Sequence, residues 1–154
     1  MGKETKRFDP ENHKKNDLLG RKTAKKLFSK KWNITLQDND DKYDTDLIGC
    51  YNDRTFYVEV SVNHSFRKYY YRKGWLGIYQ RKVGHFQNHL DRNEKIYFAI
   101  CNATGKKVAL LKVTQDVLNL EQMTVNHQPT VRSFDNKPED IIPVPKKYWQ
   151  LYEV

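Results

Sequence analysis

Residues 43–62 read YDTDLIGCYNDRTFYVEVSV, two strand-like runs on either side of a short polar turn. The turn Asn52-Asp53-Arg54 contains residues that tolerate tight-turn backbone conformations. The pattern therefore predicts a β-hairpin with strands over Tyr43–Tyr51 and Thr55–Val62. The second run alternates strictly, which predicts one apolar face and one face that carries Tyr57, Glu59 and Ser61.

Helical and strand-like patterns extend from this hairpin in both directions. Before it, the spacing of apolar residues predicts a helix that Asn16 or Asp17 caps and that ends near Lys31, followed by a short strand over Asn33–Gln37. Residues 1–12 lack periodicity, which predicts a flexible basic arm. After the hairpin the patterns predict a basic aromatic connection over residues 63–75 and a helix that begins after Gln80 and ends near Leu90. Two strands are predicted next, over Lys95–Asn102 and Lys107–Val113, followed by a short helix from Thr114 to Leu120. Edge strands or loops are predicted over Met123–Val131 and Ile141–Val144.

The order of these elements predicts the fold class. A helix, three strands, a second helix and two further strands are typical of an α/β domain, in which a mixed central β-sheet is flanked by helices on both faces. No Gly/Ser-rich or Pro-rich linker divides the 154 residues, so we expect residues 13–154 to form a single domain.

The net charge of +9 and the pI near 9.4 predict a polyanionic partner. Lysine and arginine recur as pairs along the chain, and cations that neutralise backbone phosphates release condensed counterions. DNA is the expected partner, and RNA fits the same charge pattern. A surface that is basic only for solubility is the alternative. No apolar run approaches the ~20 residues that span a bilayer, so a membrane role is not expected.

The cysteines and histidines point to no metal site of their own. Cys50 and Cys101 lie in strand-like apolar runs, which predicts buried free thiols and a reducing compartment. We expect the cytoplasm or the nucleus, including those of a virus-infected cell, rather than secretion. His85 and His89 have a helical spacing that zinc uses, but no third ligand is near in sequence, so they are expected to face solvent or phosphate.

Two acidic residues of the hairpin are the candidates for chemistry. Asp46 lies at the start of the first strand, and Glu59 lies mid-strand between apolar neighbours, where a carboxylate without a partner is costly. An Asp and a Glu on adjacent strands can share one Mg²⁺ or Mn²⁺ together with the backbone carbonyl of Val60, because such ions prefer oxygen ligands. Asp44 has the same strand parity as Asp46 and is a rival for its place.

A helix, then Asp46, then Glu59-Val60-Ser61 on the next strand, then a second helix, resembles the PD-(D/E)XK nuclease superfamily over roughly Asp17 to Ala103. The resemblance implies a restriction-endonuclease-like core and an Mg²⁺-dependent deoxyribonuclease in which Asp46 and Glu59 bind the metal. It also implies that Asp17 serves as an accessory acid. The chain further looks like small phage-type nucleases and junction resolvases, which allows a homodimer. Branched or partly single-stranded DNA is the favoured substrate if residues 64–75 contact it.

The chain departs from the family pattern at Ser61, which stands where a lysine is expected and brings no cation. In some family members the lysine lies on the following helix, and by that rule Lys82 corresponds to it. The resemblance then implies that Lys82 orients the attacking water or stabilises transition-state charge, with the Ser61 hydroxyl holding a water. The alternatives are a non-catalytic nucleic-acid-binding protein on a nuclease-like fold, and an adaptor whose aromatic tail, Tyr148 to Tyr152, meets a partner.

Residues 64–75, HSFRKYYYRKGW, alternate cations with aromatic side chains, a combination suited to a phosphate backbone and unpaired bases. The alternative is that Tyr69, Tyr71 and Trp75 pack in the core while the cations are solvated. With the cationic side of the first helix added, the expected nucleic-acid contacts are Lys22, Lys25, Lys26, Arg67, Lys68, Tyr70, Arg72, Lys73, Trp75 and Arg81.

Overall fold

The computed structural model describes residues 10–41, 44–126 and 138–154. In chain order its elements are α1 (Pro10–Trp32), β1 (Gln37–Asp38), β2 (Leu47–Tyr51), β3 (Arg54–Asn63), a π-helical segment (Arg67–Lys73), β4 (Trp75–Tyr79), α2 (Gln80–Asp91), β5 (Lys95–Asn102), β6 (Lys107–Lys112), α3 (Gln115–Leu118), β7 (Met123–Asn126), β8 (Pro138–Pro145), a 3-10 turn (Lys146–Tyr148) and β9 (Trp149–Glu153).

The predicted hairpin is confirmed. Strands β2 and β3 pair antiparallel from Tyr51 opposite Arg54 to Leu47 opposite Val58. The turn residues Asn52 and Asp53 adopt φ values of 50° and 61°, the left-handed backbone that a two-residue turn between twisted strands requires. The turn chemistry therefore fixes the register, and the register decides which side chains of the two strands share a face.

The hairpin belongs to a mixed six-stranded sheet with the strand order β1-β2-β3-β5-β6-β9. Strands β3 and β5 pair in parallel, and the other neighbouring pairs are antiparallel. Helices pack on this sheet, so the predicted α/β class with a mixed central sheet is confirmed. The parallel pair places α2 in the crossover between β3 and β5, because parallel neighbours need a long connection.

Helix α1 covers one face of the sheet through its small and apolar side. Ala24, Leu27 and Phe28 are buried with Val58 and Val60 of β3 in one core cluster. A Cβ added at Gly20 would lie 3.4 Å from Val60, so this glycine lets the helix approach the strand closely. The helix and the inward face of the hairpin thus form one half of the core.

The opposite face of the sheet packs against α2, α3 and a small sheet with the order β4-β8-β7. Phe86 of α2, Phe98 of β5 and Ile142 of β8 are each at most 1% exposed in this second core cluster. Since residues alternate along β3, Glu59 points toward this half while Val58 and Val60 point toward α1.

The first helix and the first strand begin at residues other than those predicted. Helix α1 starts at Pro10 rather than at Asn16 or Asp17, so residues 10–12 of the predicted flexible arm are helical, and residues 1–9 lie outside the described residues. Proline is preorganised for the first helical position, and Asp17 pairs with Arg21 one turn later instead of capping. Strand β1 covers only Gln37–Asp38, because Asn33 ends α1 with φ 55°.

Differences in the second half have equally local causes. The connection over residues 63–75 contains a π-helical segment that ends at Gly74 with φ 76°, after which Trp75 starts β4. The predicted cap at Thr114 is confirmed, because its hydroxyl accepts from the Val117 N–H at 3.3 Å. Strand β8 is the central strand of the small sheet rather than an edge. The part of the predicted strand after Asn126 lies outside the described residues.

The two cysteines differ in burial. Cys101 is buried, and burial raises the pKa of its thiol to about 11. Cys50 is exposed, so the prediction of two buried thiols is wrong for this residue. Alternation in β2 turns Leu47 and Gly49 toward α1 and Cys50 away from it.

None of the helices in the described part of the chain combines the length and the apolar character needed to cross a lipid bilayer.

Two glycines give opposite expectations for an added methyl group. A Cβ at Gly84 of α2 meets nothing within 4 Å, and a mid-helix glycine costs conformational entropy. We expect Gly84→Ala to raise the free energy of unfolding by about 0.5–1 kcal/mol in urea denaturation. Gly49→Ala would push its Cβ into the Phe56 ring and Leu36, so it should destabilise the protein. Equal effects of the two substitutions would contradict this packing.

Candidate active site

Asp46 lies directly before β2 and faces the middle of β3. The hairpin register ends with Leu47 opposite Val58, so the next antiparallel position places Asp46 opposite Glu59. Its Oδ2 accepts a hydrogen bond of 2.9 Å from the Val60 N–H. The hairpin thus brings together the two acids that were predicted as site residues, at the point where β2 begins and β3 continues past it.

Lys82 reaches Glu59 from the first turn of α2. Its Nζ lies 2.9 Å from Glu59 Oε2 and 5.6 Å from the ring centre of Phe98. The two side chains are only 20% and 12% exposed, respectively, so water screens the pair weakly. The lysine of the following helix therefore stands beside the strand glutamate, while Ser61 lies two residues farther along the same face of β3.

Arg21 of α1 holds Asp46 from the other side. Its guanidinium donates to Asp46 Oδ1 at 3.0 Å and to the Asp46 carbonyl at 2.9 Å. The same group contacts Asp17 at 3.1 Å and Asp38 at 3.2 Å. Asp17, the expected accessory acid, thus approaches Asp46 only through Arg21.

Arg21 was not predicted to be a site residue. Two signals were available: Asp17 lies four residues before it, at the spacing of helical ion pairs, and Arg21 is next to Gly20 on the packed side of α1. Neither signal identifies Asp46 as a partner, because that contact joins residues far apart in the chain.

The two carboxylates are close enough to affect each other's protonation. Burial and the neighbouring Glu59 carboxylate raise the pKa of Asp46 to about 7, against the lowering effects of the Val60 N–H and Arg21. When one of two neighbouring carboxyls titrates near neutrality, the pair can share either a proton or a cation.

The donor set fits a hard divalent cation. Asp46 and Glu59 supply carboxylate oxygens, and the Val60 carbonyl points to the same strand edge as its N–H, where β2 has ended. Oxygen ligands of this kind suit Mg²⁺ or Mn²⁺, which keep several waters as further ligands. Within residues 10–41, 44–126 and 138–154 no group of three His, Cys, Asp or Glu side chains forms a fuller cage.

A buried histidine anchors the segment that carries Asp46. His89 of α2 is 1% exposed, and its ring nitrogens contact Asp44 at 2.6 Å and Glu94 at 3.0 Å. The expectation that His89 faces solvent or phosphate is wrong, because the ring packs under Tyr57 at a centroid distance of 4.4 Å. Asp44, the alternative to Asp46 as partner of Glu59, is instead bonded to His89.

The predicted nucleic-acid contacts have different surroundings. Lys22, Lys26, Arg67, Lys68, Arg72 and Lys73 are exposed. Lys25 pairs with Asp38 at 3.1 Å, and Arg81 pairs with Glu139 at 2.6 Å. Tyr70 requires a correction: it is 4% exposed and stacks on Phe66 at 5.3 Å, so it belongs to the core. Its position on the inward side of the π-helical segment explains the burial.

Trp75 lies in a cleft beside the carboxylates. It is half-buried, with its ring centre 5.0 Å from that of Tyr69. The cleft has a volume of about 300 Å³, and Ser61, Tyr79 and Phe98 also line it. Two of its lining residues connect it to the acidic site: the Phe98 ring is 5.6 Å from Lys82 Nζ, and Ser61 follows Glu59 by two residues on the same face of β3.

Comparison with known proteins identifies no relative. No protein-family model matches the chain, and no curated protein and no solved structure matches it.

The His89 contacts should stabilise the fold and the site together. His89→Ala leaves the Asp44 and Glu94 carboxylates without their shared partner, so we expect a loss of about 2–4 kcal/mol in the free energy of unfolding. His85→Ala, at an exposed position of the same helix, should change it by less than about 0.5 kcal/mol. Chemical denaturation measures both, and similar losses would contradict an anchoring role for His89.

The raised pKa of Asp46 predicts the pH dependence of stability without divalent cations. The pKa of Asp46 is higher in the folded than in the unfolded state. The contribution of this group to the free energy of unfolding is therefore complete below about pH 4 and is lost as the pH rises through about 7. From about pH 6 to about pH 8 the free energy of unfolding should fall by about 1 kcal/mol through this group. Asp46→Asn, measured by urea denaturation in chelator, should remove this slope. An unchanged slope in the variant would assign it to other groups.

Proposed function

We propose that this protein is an Mg²⁺- or Mn²⁺-dependent deoxyribonuclease that hydrolyses phosphodiester bonds at the site of Asp46, Glu59 and Lys82. The observation that carries the proposal is the meeting of these three side chains. Two carboxylates of the hairpin and one ammonium from the following helix share a weakly exposed site near the cleft that contains Trp75. Hairpin register and the crossover helix bring them together, which agrees with the resemblance to the PD-(D/E)XK nucleases.

Each residue has a chemical role in this proposal. Asp46 and Glu59 provide the oxygen ligands and would hold Mg²⁺, which when bound polarises a phosphate and lowers the pKa of water. Lys82 lies against Glu59, where its charge orients a nucleophilic water or stabilises negative charge on the phosphate. Arg21 fixes Asp46 through both its carboxylate and its carbonyl.

The basic surface supports DNA as the substrate. The net charge is +9, and the exposed cations of the π-helical segment follow β3 in the chain. Such a surface attracts polyanions of any sequence. The cleft that contains Trp75, rather than the overall charge, would therefore determine which DNA structure is preferred.

A non-catalytic nucleic-acid-binding protein is the second candidate, and one observation favours it. Both carboxylates already have a cationic partner, Arg21 for Asp46 and Lys82 for Glu59. Each of the two carboxylates therefore has a cation beside it without a metal, and a binding protein would keep such ion pairs for structure alone.

A plasmid-nicking assay with Mg²⁺ and with Mn²⁺ separates the two candidates. The unaltered protein should cut DNA and lose this activity in chelator. Asp46→Asn and Glu59→Gln should each lower the rate by at least about 100-fold, because each removes a charged metal ligand, and Lys82→Met should lower it by about 100- to 1000-fold.

Matched controls test whether these losses are specific. Glu121→Gln and Lys30→Met remove exposed charges of the same kinds and should leave the rate within about twofold. DNA affinity, measured in chelator, should stay within about threefold for Asp46→Asn. Tight binding without cleavage under either metal would overturn the nuclease and favour the binding protein.

A further inference from the structure

The aromatic groove is a second concave surface, on the face of the sheet that α1 only partly covers. Phe28 and Trp32 at the end of α1, Phe56 at the start of β3, and Tyr97 of β5 are among the residues that line its volume of about 610 Å³. Alternation along β3 puts Phe56 on the face opposite to Glu59. The aromatic groove is therefore separate from the carboxylate site.

The rings of this groove form a continuous set. Phe28 lies 5.0 Å from Trp32 and 5.7 Å from Phe56, and Phe56 lies 5.7 Å from Tyr97. Trp32 also contacts Tyr152 at 5.4 Å. The inner rings are packed, but Trp32 is 39% exposed and Tyr51, at the rim, is 60% exposed. Two large aromatic side chains thus face solvent over an already formed apolar floor.

Cations surround these rings. Arg54, Lys95 and Lys112 line the groove and are exposed, and Lys31 lies 5.6 Å from the Tyr152 ring. None of the lining residues, all of which belong to the described part of the chain, is an acid. A ligand that fits must present flat apolar surface and negative charge within one short segment.

We propose that the aromatic groove binds single-stranded DNA, with unpaired bases against Trp32 and Tyr51 and phosphates against Arg54, Lys95 and Lys112. Exposed bases stack on aromatic side chains whatever their sequence, and a phosphate follows every base. In a duplex the base faces are covered by their neighbours. A second copy of this chain is a poorer occupant, since it would bring another net charge of +9 against the same cations.

This inference adds a strand-binding site to the proposed nuclease but does not depend on cleavage. The groove is on the opposite face from Asp46 and Glu59, so its occupancy is measurable in chelator, where the nuclease is inactive. Failure of the nuclease proposal therefore leaves this test intact, and failure of this test leaves the nuclease proposal standing.

The test compares two oligonucleotides of equal phosphate number by fluorescence anisotropy in chelator, a dT homopolymer of about twelve nucleotides and its abasic counterpart. The full chain should bind the dT oligomer at least about tenfold more tightly, because only that oligomer has bases to stack. Trp32→Ala and Tyr51→Leu should each weaken dT binding by about 5- to 50-fold and leave abasic binding unchanged.

Leu151→Ala is the matched control. It truncates a side chain of similar exposure on β9, whose alternation places it on the opposite face from Tyr152, and should leave both affinities unchanged. Thermal melting verifies that the variants fold. Equal affinity of the unaltered protein for the two oligomers, or variants that bind dT as tightly as the unaltered chain does, would overturn the proposal. A tighter, Trp32-dependent affinity for a uridine oligomer would assign the groove to RNA instead. A dimer in sedimentation that Trp32→Ala dissociates would assign it to a second copy.

Discussion

The closeness of Asp46 and Glu59 is the constraint around which this domain is arranged. Desolvation and mutual repulsion both oppose two charges at adjoining positions of neighbouring strands, and together they raise the pKa of Asp46. The chain meets this cost with one cation from each side. Arg21 comes from the helix on one face of the sheet, and Lys82 comes from the helix on the other. Both helices therefore carry a residue whose partner is an acid of the hairpin.

Packing holds these charges in place. Gly20 allows α1 to approach β3 closely, which brings the next residue, Arg21, to the sheet edge. The His89 contacts tie the segment before Asp46 to the last turn of α2, the helix whose first turn carries Lys82. One helix thus supports both members of the site, directly at one end and through Asp44 at the other. Rigid support of this kind is what a catalytic or metal-binding constellation needs.

Much of the fold was predictable because its signals are local. The Asn52-Asp53 turn, the alternation of β3 and the apolar run of β5 are each read within a few residues, and together they give the hairpin and the sheet. The choice of Asp46 over Asp44 was not decidable from parity alone. It depends on His89, which lies 45 residues after Asp44. The contact of Arg21 with Asp46 and the burial of Tyr70 were not predicted for the same reason. Contacts across the sheet and the inward side of a π-helical segment leave no periodic pattern in the sequence.

The most specific feature of the site is that its lysine, Lys82, lies on α2, while a serine is found at position 61 of β3. Lys82 contacts Glu59 from the following helix, while Ser61 lines the cleft that contains Trp75. The positive charge beside Glu59 is thus supplied by α2, and β3 has a small polar side chain at residue 61. The Val60 N–H donates to Asp46, and the Val60 carbonyl points to the same edge of β3.

A crystal soaked in Mn²⁺ and measured at the manganese absorption edge tests the metal site most directly. We expect an anomalous peak within ligand distance of oxygens of both Asp46 and Glu59, with Arg21 or Lys82 displaced from its carboxylate partner. An Mn²⁺-saturated crystal of the unaltered protein with no peak between these residues would contradict the metal site.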